Sequence, residues 1–365
     1  MEKRKEQKMK KILFSAYSLD VGGIETALIT LLKNIHSKYE ITLVLEKKEG
    51  LFLNEIPEDI KIITYKSSNN KIVIVRKILN FIKQQIFKLK YKNKFDFSAC
   101  FATYSYPSSF TARTASENSC LWVHNDYMNF YNNDVNKYKE FFSKLKIDSF
   151  KKIIFVSEND KNVFLQYFED YQEKCIQCNN LIDYKKILDK SEENITDFEV
   201  KENIITFINL GRHDEKQKKL SRIIEATKKL NEEGYIFRVI FVGEGPDTKQ
   251  YKEQAKDIKN IEFLGAKSNP YPYLKKSDCL LMSSDFEGYP VVFIESLILG
   301  KTIITTDVSD SKKDIKDKFG IVVDKSVEGV YQGMKSYLDN GFDVEIFNPE
   351  EYNKNILEKL DRIIK

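Results

Sequence analysis

The pattern of apolar and polar residues along the chain is that of an α/β protein. Short runs rich in β-branched and aromatic residues, typical of buried strands, alternate with longer segments in which apolar residues recur at helical spacing. This alternation predicts doubly wound parallel sheets. The predicted strands are 11–16, 40–46, 61–65, 97–102, 120–124, 152–157, 175–183, 204–210, 237–242, 261–264, 279–282, 301–306 and 319–323.

The segment 279–307 shows this pattern most clearly. Its apolar run 279–282 predicts a buried strand, and Pro290 suits the first turn of a helix, where its missing N–H breaks no intrahelical hydrogen bond. That helix is predicted over 291–299 and ends before Gly300, the residue type that commonly follows a helix. The segment is therefore a strand, loop and helix, and its loop lies at the carboxyl end of the strand.

Two carboxylates lie on this unit, Glu287 in the loop and Glu295 within the helix. Open α/β sheets bind ligands beyond the carboxyl ends of their strands, and the unpaired N–H groups of a first helical turn favour phosphate or hydroxyl groups. Both carboxylates can therefore face a ligand. Alternatively, one Glu caps the helix and the other is solvated, which is the commoner arrangement for two isolated Glu residues.

The spacing of the two carboxylates resembles the E-x7-E signature of retaining glycosyltransferases of family 4, which have the GT-B fold. The matching residues are Glu287, Gly288, Tyr289, Pro290, Glu295, Gly300, Thr306 and Asp307. The resemblance implies that Glu287 lies against the transferred sugar and that Glu295 hydrogen-bonds the ribose of the nucleotide. It also implies that the backbone from Gly288 to Val291 helps to hold sugar and phosphate.

A basic segment before this unit, GRHDEKQKK, resembles the Gly-Arg…Lys element of the same family. The resemblance implies that Arg212 and Lys218 grip the donor diphosphate. Fixed cations stabilise the charge that develops on a leaving diphosphate, with Arg suited to bidentate contact and Lys to a point charge. Lys216 is the alternative. Lys218 is preferred because this choice gives the helix predicted over 215–230 the apolar face that the family has.

Two glycine turns of the second half have different interpretations. Gly243 and Gly245 form a G-x-G pair that lacks the third glycine of a nicotinamide-binding fingerprint, so a dinucleotide site is a poor interpretation. For Gly265 and Ala266 the family resemblance implies that backbone groups line the nucleotide base. The predicted donor site therefore lies on the second half of the chain.

In the first half, Gly22 and Gly23 lie between the first strand and a helix, where glycine lets a backbone approach a phosphate closely. His124 ends a predicted strand and is followed by Asn125 and Asp126. The resemblance implies that the glycine loop faces donor phosphates and acceptor, that His124 reaches the donor sugar near its reacting carbon, and that Asn125 and Asp126 lie on the acceptor side. Without this context, glycines in such turns often bind nothing, and a lone His is usually structural.

Length and composition add limits to this picture. The 365 residues predict two domains, and the net charge of +4 is too small to indicate nucleic-acid binding by itself. The cysteines are scattered, and Cys175-x-x-Cys178 has no second Cys/His pair for zinc, which predicts buried free thiols in a reducing compartment. No apolar run has the length of a signal peptide core or a membrane span. These features predict a cytoplasmic protein, with binding to the inner face of the cell membrane as the alternative.

The resemblance also predicts the domain organisation: two Rossmann-like doubly wound domains that face each other across a cleft, as in GT-B proteins. The acceptor-side domain is predicted over 1–183, a linker over 184–202 and the nucleotide-sugar domain over 203–348. A C-terminal helix over 349–365 is expected to return to the first domain.

One further segment, 71–95, is basic and amphipathic. Its cations are Lys71, Arg76, Lys77, Lys83, Lys88, Lys90, Lys92 and Lys94, and it contains no acid. Its apolar residues Ile78, Ile82, Ile86 and Leu89 recur at helical spacing. Such a helix binds an anionic membrane surface, or it is an ordinary surface helix whose apolar side packs on the sheet. The sequence favours neither interpretation, because both need the same apolar stripe.

Together these features predict a retaining glycosyltransferase. It is expected to move a hexose or N-acetylhexosamine from a nucleotide sugar, preferably a UDP-sugar, to a glycan or lipid-linked acceptor in the synthesis of a cell-surface polysaccharide such as a capsule. No cofactor and no metal are expected, since no Asp-x-Asp motif is present. The alternatives are a sugar-nucleotide epimerase of the same fold and a non-catalytic partner subunit of a glycosyltransferase.

Overall fold

The structure, a computed structural model, describes residues 9–20 and 22–365, so most of the basic N-terminal tail lies outside the described residues. The chain divides into two compact units. The first extends to Leu181 and resumes at Asn353, and the second is Ile182–Tyr352.

The first unit is built on a parallel sheet of seven strands in the order β3-β2-β1-β4-β5-β6-β7. Its β-branched and aromatic runs form strands because their side chains pack on both faces of a covered sheet. The strands are β1 Lys10–Ala16, β2 Tyr39–Leu45, β3 Lys61–Thr64, β4 Phe97–Cys100, β5 Ser119–Val123, β6 Lys152–Phe155 and β7 Cys175–Gln177. All predicted strands of this half are present, although β7 is much shorter than 175–183.

The helices of the first unit connect these strands and cover the sheet. They are α1 Gly23–Ile35, α2 Val73–Tyr91, α3 Tyr106–Ala115, α4 Tyr127–Phe130, α5 Val135–Leu145 and α6 Glu158–Tyr167. The C-terminal helix α14, Pro349–Ile364, also packs here from Asn353 onward. It buries Ile356, Leu360 and Ile363, and the amide of Asn118 donates to the carbonyl of Ile364 at 3.3 Å.

The second unit has a parallel sheet of six strands in the order β10-β9-β8-β11-β12-β13. The strands are β8 Thr206–Leu210, β9 Arg238–Val242, β10 Ile261–Gly265, β11 Cys279–Met282, β12 Thr302–Thr306 and β13 Gly320–Val323. The helices are α7 Tyr184–Ser191, α8 Leu220–Glu232, α9 Thr248–Gln254, α10 Tyr271–Lys275, α11 Val291–Ile298, α12 Ser311–Asp314 and α13 Val327–Asn340. Strand alternates with helix throughout, as the sequence predicts.

Successive residues of the central strand β11 pack into different cores on the two faces of this sheet. Leu280 and Met282 belong to one buried cluster, and Cys279 and Leu281 belong to the other. Burial of a Leu or Met side chain stabilises the folded state by about 1.5–3 kcal/mol. The uninterrupted apolar run CLLM is thus explained by a strand buried on both faces.

Two predicted elements differ from the structure. The segment 184–202, predicted as a linker, contains α7, because Asp183 caps this helix and its Ile187 is buried in the core of the second unit. The helix predicted over 215–230 begins only at Leu220, since Lys219 adopts a left-handed conformation with φ of 51°. Lys218 therefore lies in a loop and not on a helix.

The apolar stripe of α2 is exposed. Ile78, Ile82, Ile86 and Leu89 are all solvent-accessible, and Phe87 is the one buried residue of this helix. The interpretation that this stripe packs on the sheet is therefore wrong. The helix rests on the unit along its opposite side, through Phe87.

Candidate active site

The order of strands reverses beside β8 in the second unit, where β9 lies on one side and β11 on the other. Connections leave such a point in opposite directions and open a crevice at the carboxyl ends of the strands. The loops that follow β8 and β11 are 211–219 and 283–290. The topology thus brings together the two segments that the sequence singles out for donor binding.

Glu287 lies at the meeting point of these loops and is only 8% exposed. Its Oε1 accepts an ion-paired hydrogen bond from Lys218 Nζ at 2.6 Å, and its Oε2 accepts from Gln217 Nε2 at 3.3 Å. The same amide donates to the carbonyl of Phe286 at 3.2 Å. One donor on each oxygen fixes the carboxylate and leaves acceptor capacity on both oxygens for a ligand hydroxyl.

The two loops are also joined around this carboxylate by backbone groups. The N–H of Asp285 donates to the carbonyl of Gln217 at 2.8 Å, and the hydroxyl of Ser283 donates to the carbonyl of Lys218 at 2.9 Å. Arg222 at the start of α8 pairs with Asp285 at 2.6 Å. The position of Glu287 is thus set by a network and not by its own loop alone.

The cations predicted for the diphosphate are arranged differently from one another. The side chain of Arg212 is 63% exposed and pairs with Asp214 at 2.9 Å, so its guanidinium can reach a ligand. Lys218 is partly buried against Glu287, whereas Lys216 is exposed. An ammonium group has three N–H donors, so Lys218 can hold Glu287 and a phosphate oxygen together. The assignment of both cations to a diphosphate stays a prediction.

Glu295 lies on α11, one turn after its start, and is half-buried. The hydroxyl of Tyr271 donates to its Oε1 at 3.1 Å. Burial raises the pKa of Glu295 to about 7, and the Tyr271 hydrogen bond opposes this shift. The carboxylate is therefore ready to accept further hydrogen bonds, because each one would recover part of its lost solvation.

The backbone between the two Glu residues bends into α11. Gly288 and Pro290 are buried, and the carbonyl of Gly288 accepts a hydrogen bond from Ser309. The side chain of Tyr289 packs against the core and hydrogen-bonds Asp314, while α11 begins at Val291 without a side-chain cap. Any contact of Tyr289 with a donor would therefore come from its backbone.

Gly211 and Gly243 follow β8 and β9, Gly265 ends β10, and these glycines allow the backbones to come close together. A Cβ atom on Gly243 would lie 1.9 Å from the carbonyl oxygen of Gly211, and one on Gly245 would lie 2.2 Å from that of His213. The N–H of Gly243 donates to the carbonyl of Gly265 at 2.9 Å, and Ala266 next to it is exposed. The G-x-G pair at 243–245 is thus explained by packing of these turns on each other.

In the first unit, His124 directly follows β5 and contacts Phe101, with ring centroids 4.4 Å apart. Both ring nitrogens are buried and have no hydrogen-bond partner among the described residues. The buried indole nitrogen of Trp122 also has no such partner there. Burial lowers the pKa of His124 to about 3, so the ring is neutral at physiological pH. These unpaired polar atoms are compatible with a ligand, and the contact of His124 with a sugar stays a prediction.

The other predicted residues of this unit have local structural roles. Gly22 and Gly23 form the N-terminus of α1 after β1, where the carbonyl of Gly22 accepts from Thr26 at 2.9 Å. Asp126 is buried and caps α4 by accepting from the N–H of Asn129 at 3.0 Å. Asn125 beside it is half-buried. The acceptor contacts assigned to Asn125 and Asp126 also stay predictions.

Sequence reasoning missed three side chains that support the site. Gln217 and Tyr271 hold Glu287 and Glu295, and His213 is fully buried, with Nδ1 2.9 Å from the hydroxyl of Thr248. Tyr271 lies 24 residues from Glu295 along the chain, and Gln217 lies in a run of lysines. Neither position has a local spacing that indicates its partner, so no sequence signal was available.

Within residues 9–20 and 22–365, no group of three or more His, Cys, Asp or Glu side chains is placed to hold a metal ion. Over the same residues, no helix has the length and apolar character needed to cross a membrane. All five cysteines are free, and burial raises the pKa of Cys175 and Cys178 to about 12.

Most of the second unit is similar in sequence to a known protein family. Residues 190–356 match the family model "Glycosyl transferases group 1", and this match covers the loops with Arg212, Lys218 and Glu287 as well as α11. These residues are thus similar to a domain of that family. The match includes none of the residues up to Leu181 that form the sheet of the first unit.

Two relatives come from Campylobacter jejuni. The chain is 29% identical over 353 residues to N-acetylgalactosamine-N,N'-diacetylbacillosaminyl-diphospho-undecaprenol 4-alpha-N-acetylgalactosaminyltransferase, with 91% of each chain covered. It is 31% identical over 118 residues, about a third of each chain, to GalNAc-alpha-(1->4)-GalNAc-alpha-(1->3)-diNAcBac-PP-undecaprenol alpha-1,4-N-acetyl-D-galactosaminyltransferase. The family match and these relatives indicate a glycosyltransferase.

Solved structures show the same fold across the chain. The crystal structure of Anabaena HepE in complex with UDP and glucose has a TM-score of 0.73 and 15% sequence identity, covering 97% of this chain and 100% of that chain. The predicted GT-B fold, with two Rossmann-like parallel sheets, is confirmed.

Proposed function

We propose that the protein is a retaining glycosyltransferase that moves a hexose or N-acetylhexosamine from a UDP-sugar to a lipid-linked acceptor during cell-surface polysaccharide synthesis. The observation that carries this proposal is the Campylobacter jejuni relative, which spans 91% of both chains and is named as a transferase of N-acetylgalactosamine to a diphospho-undecaprenol-linked sugar. The complex of HepE with UDP and glucose supports a uridine nucleotide as donor.

The proposed reaction breaks the bond between the anomeric carbon and the phosphate oxygen and joins that carbon to an acceptor oxygen on the same face of the sugar. The leaving phosphate takes the acceptor proton. Arg212 and Lys218 would stabilise the charge that the diphosphate gains. Glu287, held by Lys218 and Gln217, would bind sugar hydroxyls and support the positive charge that develops at the anomeric carbon.

The proposal is tested by a screen of UDP-, GDP- and ADP-sugars without acceptor. Thermal unfolding would report binding, and slow release of free sugar would report cleavage of the donor. We expect stabilisation and slow hydrolysis with a UDP-sugar. Conversion to an epimeric nucleotide sugar would instead support the epimerase, and the absence of any stabilisation would support a non-catalytic partner.

The raised pKa of Glu295 predicts that the affinity for UDP depends on pH. If its carboxylate accepts hydrogen bonds from the ribose, UDP affinity should fall as the pH falls through about 7, because the protonated form is then favoured. Between pH 8 and pH 6 the ionised fraction falls about tenfold, and UDP affinity should follow it. Calorimetric titration of UDP at both pH values measures this difference.

The matched control for this pH effect is Glu295→Gln, which keeps the shape and removes the titration. It should bind UDP more weakly at pH 8 and lose the part of the pH dependence that belongs to Glu295. Wild-type affinity in Glu295→Gln at pH 8 would contradict the ribose contact.

We also propose that α2 binds the inner face of the cell membrane. Its exposed apolar residues, among them Ile78, Phe81 and Leu89, lie between cations, and the segment 71–95 contains no acid. An amphipathic helix of this kind inserts its apolar face at the level of the lipid headgroups, and each nearby cation gains about 1 kcal/mol against anionic lipid. Charge complementarity thus favours an anionic bilayer over a neutral one.

Charge reversal tests the membrane proposal. Lys77→Glu with Lys88→Glu should weaken binding to vesicles that contain phosphatidylglycerol by about a hundredfold or more. Co-sedimentation with such vesicles, and with phosphatidylcholine vesicles as the neutral control, measures the change. Unaltered sedimentation of the double variant would contradict the proposal.

A further inference from the structure

A groove of about 850 Å³ lies beside α2 in the first unit. Four lysines line it: Lys48 after β2, Lys66 after β3, and Lys83 and Lys90 on α2. Apolar and aromatic side chains complete the wall, namely Ile62, Ile63, Tyr65, Ile86, Phe87 and Tyr91. The groove therefore combines a cluster of cations with an apolar surface.

The charges of this groove are not balanced. Among the described residues no ion pair involves any of the four lysines, although the neighbouring Lys47 pairs with Glu49 at 3.1 Å. Glu46 is the one acid among the lining residues, and it accepts a hydrogen bond from the hydroxyl of Ser105. Four exposed cations against one acid give the lining of the groove an excess of positive charge, which would attract an anion.

The groove lies between the ligand-binding edge of the sheet and the face of α2 that is proposed to bind the membrane. Lys48 and Lys66 follow the carboxyl ends of β2 and β3, the edge of the sheet at which α/β proteins bind ligands. Lys83 and Lys90 lie on α2 along one side of its exposed apolar face. A ligand in the groove can thus extend from the sheet edge at one end to the membrane-facing surface at the other.

We propose that this groove, lined by Lys48, Lys66, Lys83 and Lys90, binds the diphosphate of a lipid-linked acceptor. This inference rests on the proposed function and names where that acceptor is held. Ammonium groups match the charge and the many acceptor oxygens of a diphosphate. The apolar wall formed by Ile62, Ile86 and Phe87 would contact the first isoprenoid units of the lipid.

The helix itself supplies a matched control. Helical spacing places Lys77 and Lys88 on the other side of the apolar face from Lys83 and Lys90. Lys77 and Lys88 are exposed and do not line the groove. Removing two charges there changes the net charge as much as removing Lys48 and Lys66, which are also exposed.

Calorimetric titration of the full chain with geranyl diphosphate tests the proposal. Lys48→Ala with Lys66→Ala should weaken binding about tenfold or more, whereas Lys77→Ala with Lys88→Ala should bind like the wild type. Equal losses in both double variants would overturn the proposal, because the effect would then follow net charge alone. Equal thermal unfolding of the two variants is the control for folding.

Two further titrations distinguish the source of the anion. Inorganic pyrophosphate should bind more weakly than geranyl diphosphate, and equal affinity would overturn a lipid-linked ligand. Binding to phosphatidylglycerol vesicles should fall in Lys77→Ala with Lys88→Ala and not in Lys48→Ala with Lys66→Ala. A loss of vesicle binding in the groove variant would overturn a site separate from the general membrane surface.

Hydrolysis of the UDP-sugar without acceptor separates this inference from the proposed function. The groove variant should retain wild-type hydrolysis while its KM for a lipid-linked acceptor rises about tenfold or more. Loss of hydrolysis in this variant would overturn the proposal and place these lysines at the donor. Absence of hydrolysis in the wild type would instead contradict the proposed function, while binding of geranyl diphosphate would still test the groove.

Discussion

Replacing Glu287 by Gln should lower kcat for transfer by about a hundredfold to a thousandfold, the usual effect of removing one electrostatic group from the transition state. Gln keeps the shape of the side chain and removes the charge that would face the anomeric carbon. Product formation from a UDP-sugar and a lipid-linked acceptor measures this loss. UDP affinity should change little, because the predicted nucleotide contacts lie on Arg212, Lys218 and Glu295.

The same substitution has a structural cost that can be measured separately. Lys218, whose side chain is 20% exposed, would lose its charged partner, and the free energy of unfolding should fall by about 1–3 kcal/mol. Glu328→Gln is the control, since it removes an ion pair with Lys229 at 2.9 Å on the surface of the same unit. Its turnover should equal that of the wild type. Unchanged turnover in Glu287→Gln would contradict the catalytic assignment.

The fold could be predicted largely from the sequence, because its signals are local. The apolar run CLLM predicts the bounds of β11, and Gly300 predicts the end of α11, each to within one residue. The start of α8 could not be predicted, since the acidic and basic run 214–219 has good helical propensity but its backbone is held by the loop at 283–290. Tertiary hydrogen bonds outweigh propensity at that position.

The site was only partly predictable for the same reason. The motif residues could be found because they lie within one strand, loop and helix unit, whereas the partner of Glu287 at Gln217 lies 70 residues away along the chain. The exposure of the α2 stripe also could not be predicted from the sequence. An apolar face that packs on a sheet and one that binds a membrane have the same period. The two cases differ only in the tertiary packing of the helix.

Lys218→Met should lower transfer by about a hundredfold or more, whereas Lys216→Met should have nearly wild-type activity. Lys218 Nζ lies 2.6 Å from Glu287, so its loss would remove both the predicted diphosphate contact and a donor that fixes the carboxylate. Lys216 is exposed, whereas Lys218 and Gln217 donate to the two oxygens of Glu287. The comparison of the two variants, matched in size and charge, decides which lysine serves the donor.

UDP affinity separates the two contributions of Lys218. If Lys218 contacts the diphosphate, Lys218→Met should weaken UDP binding about tenfold, since a hydrogen bond to a charged group contributes about 1.5–3 kcal/mol. If it acts only by holding Glu287, UDP affinity should be unchanged while transfer is lost, and Gln217→Leu should reduce transfer in the same way. A greater loss of UDP binding in Lys216→Met than in Lys218→Met would contradict the choice of Lys218. Lys216 would then be the lysine that contacts the diphosphate.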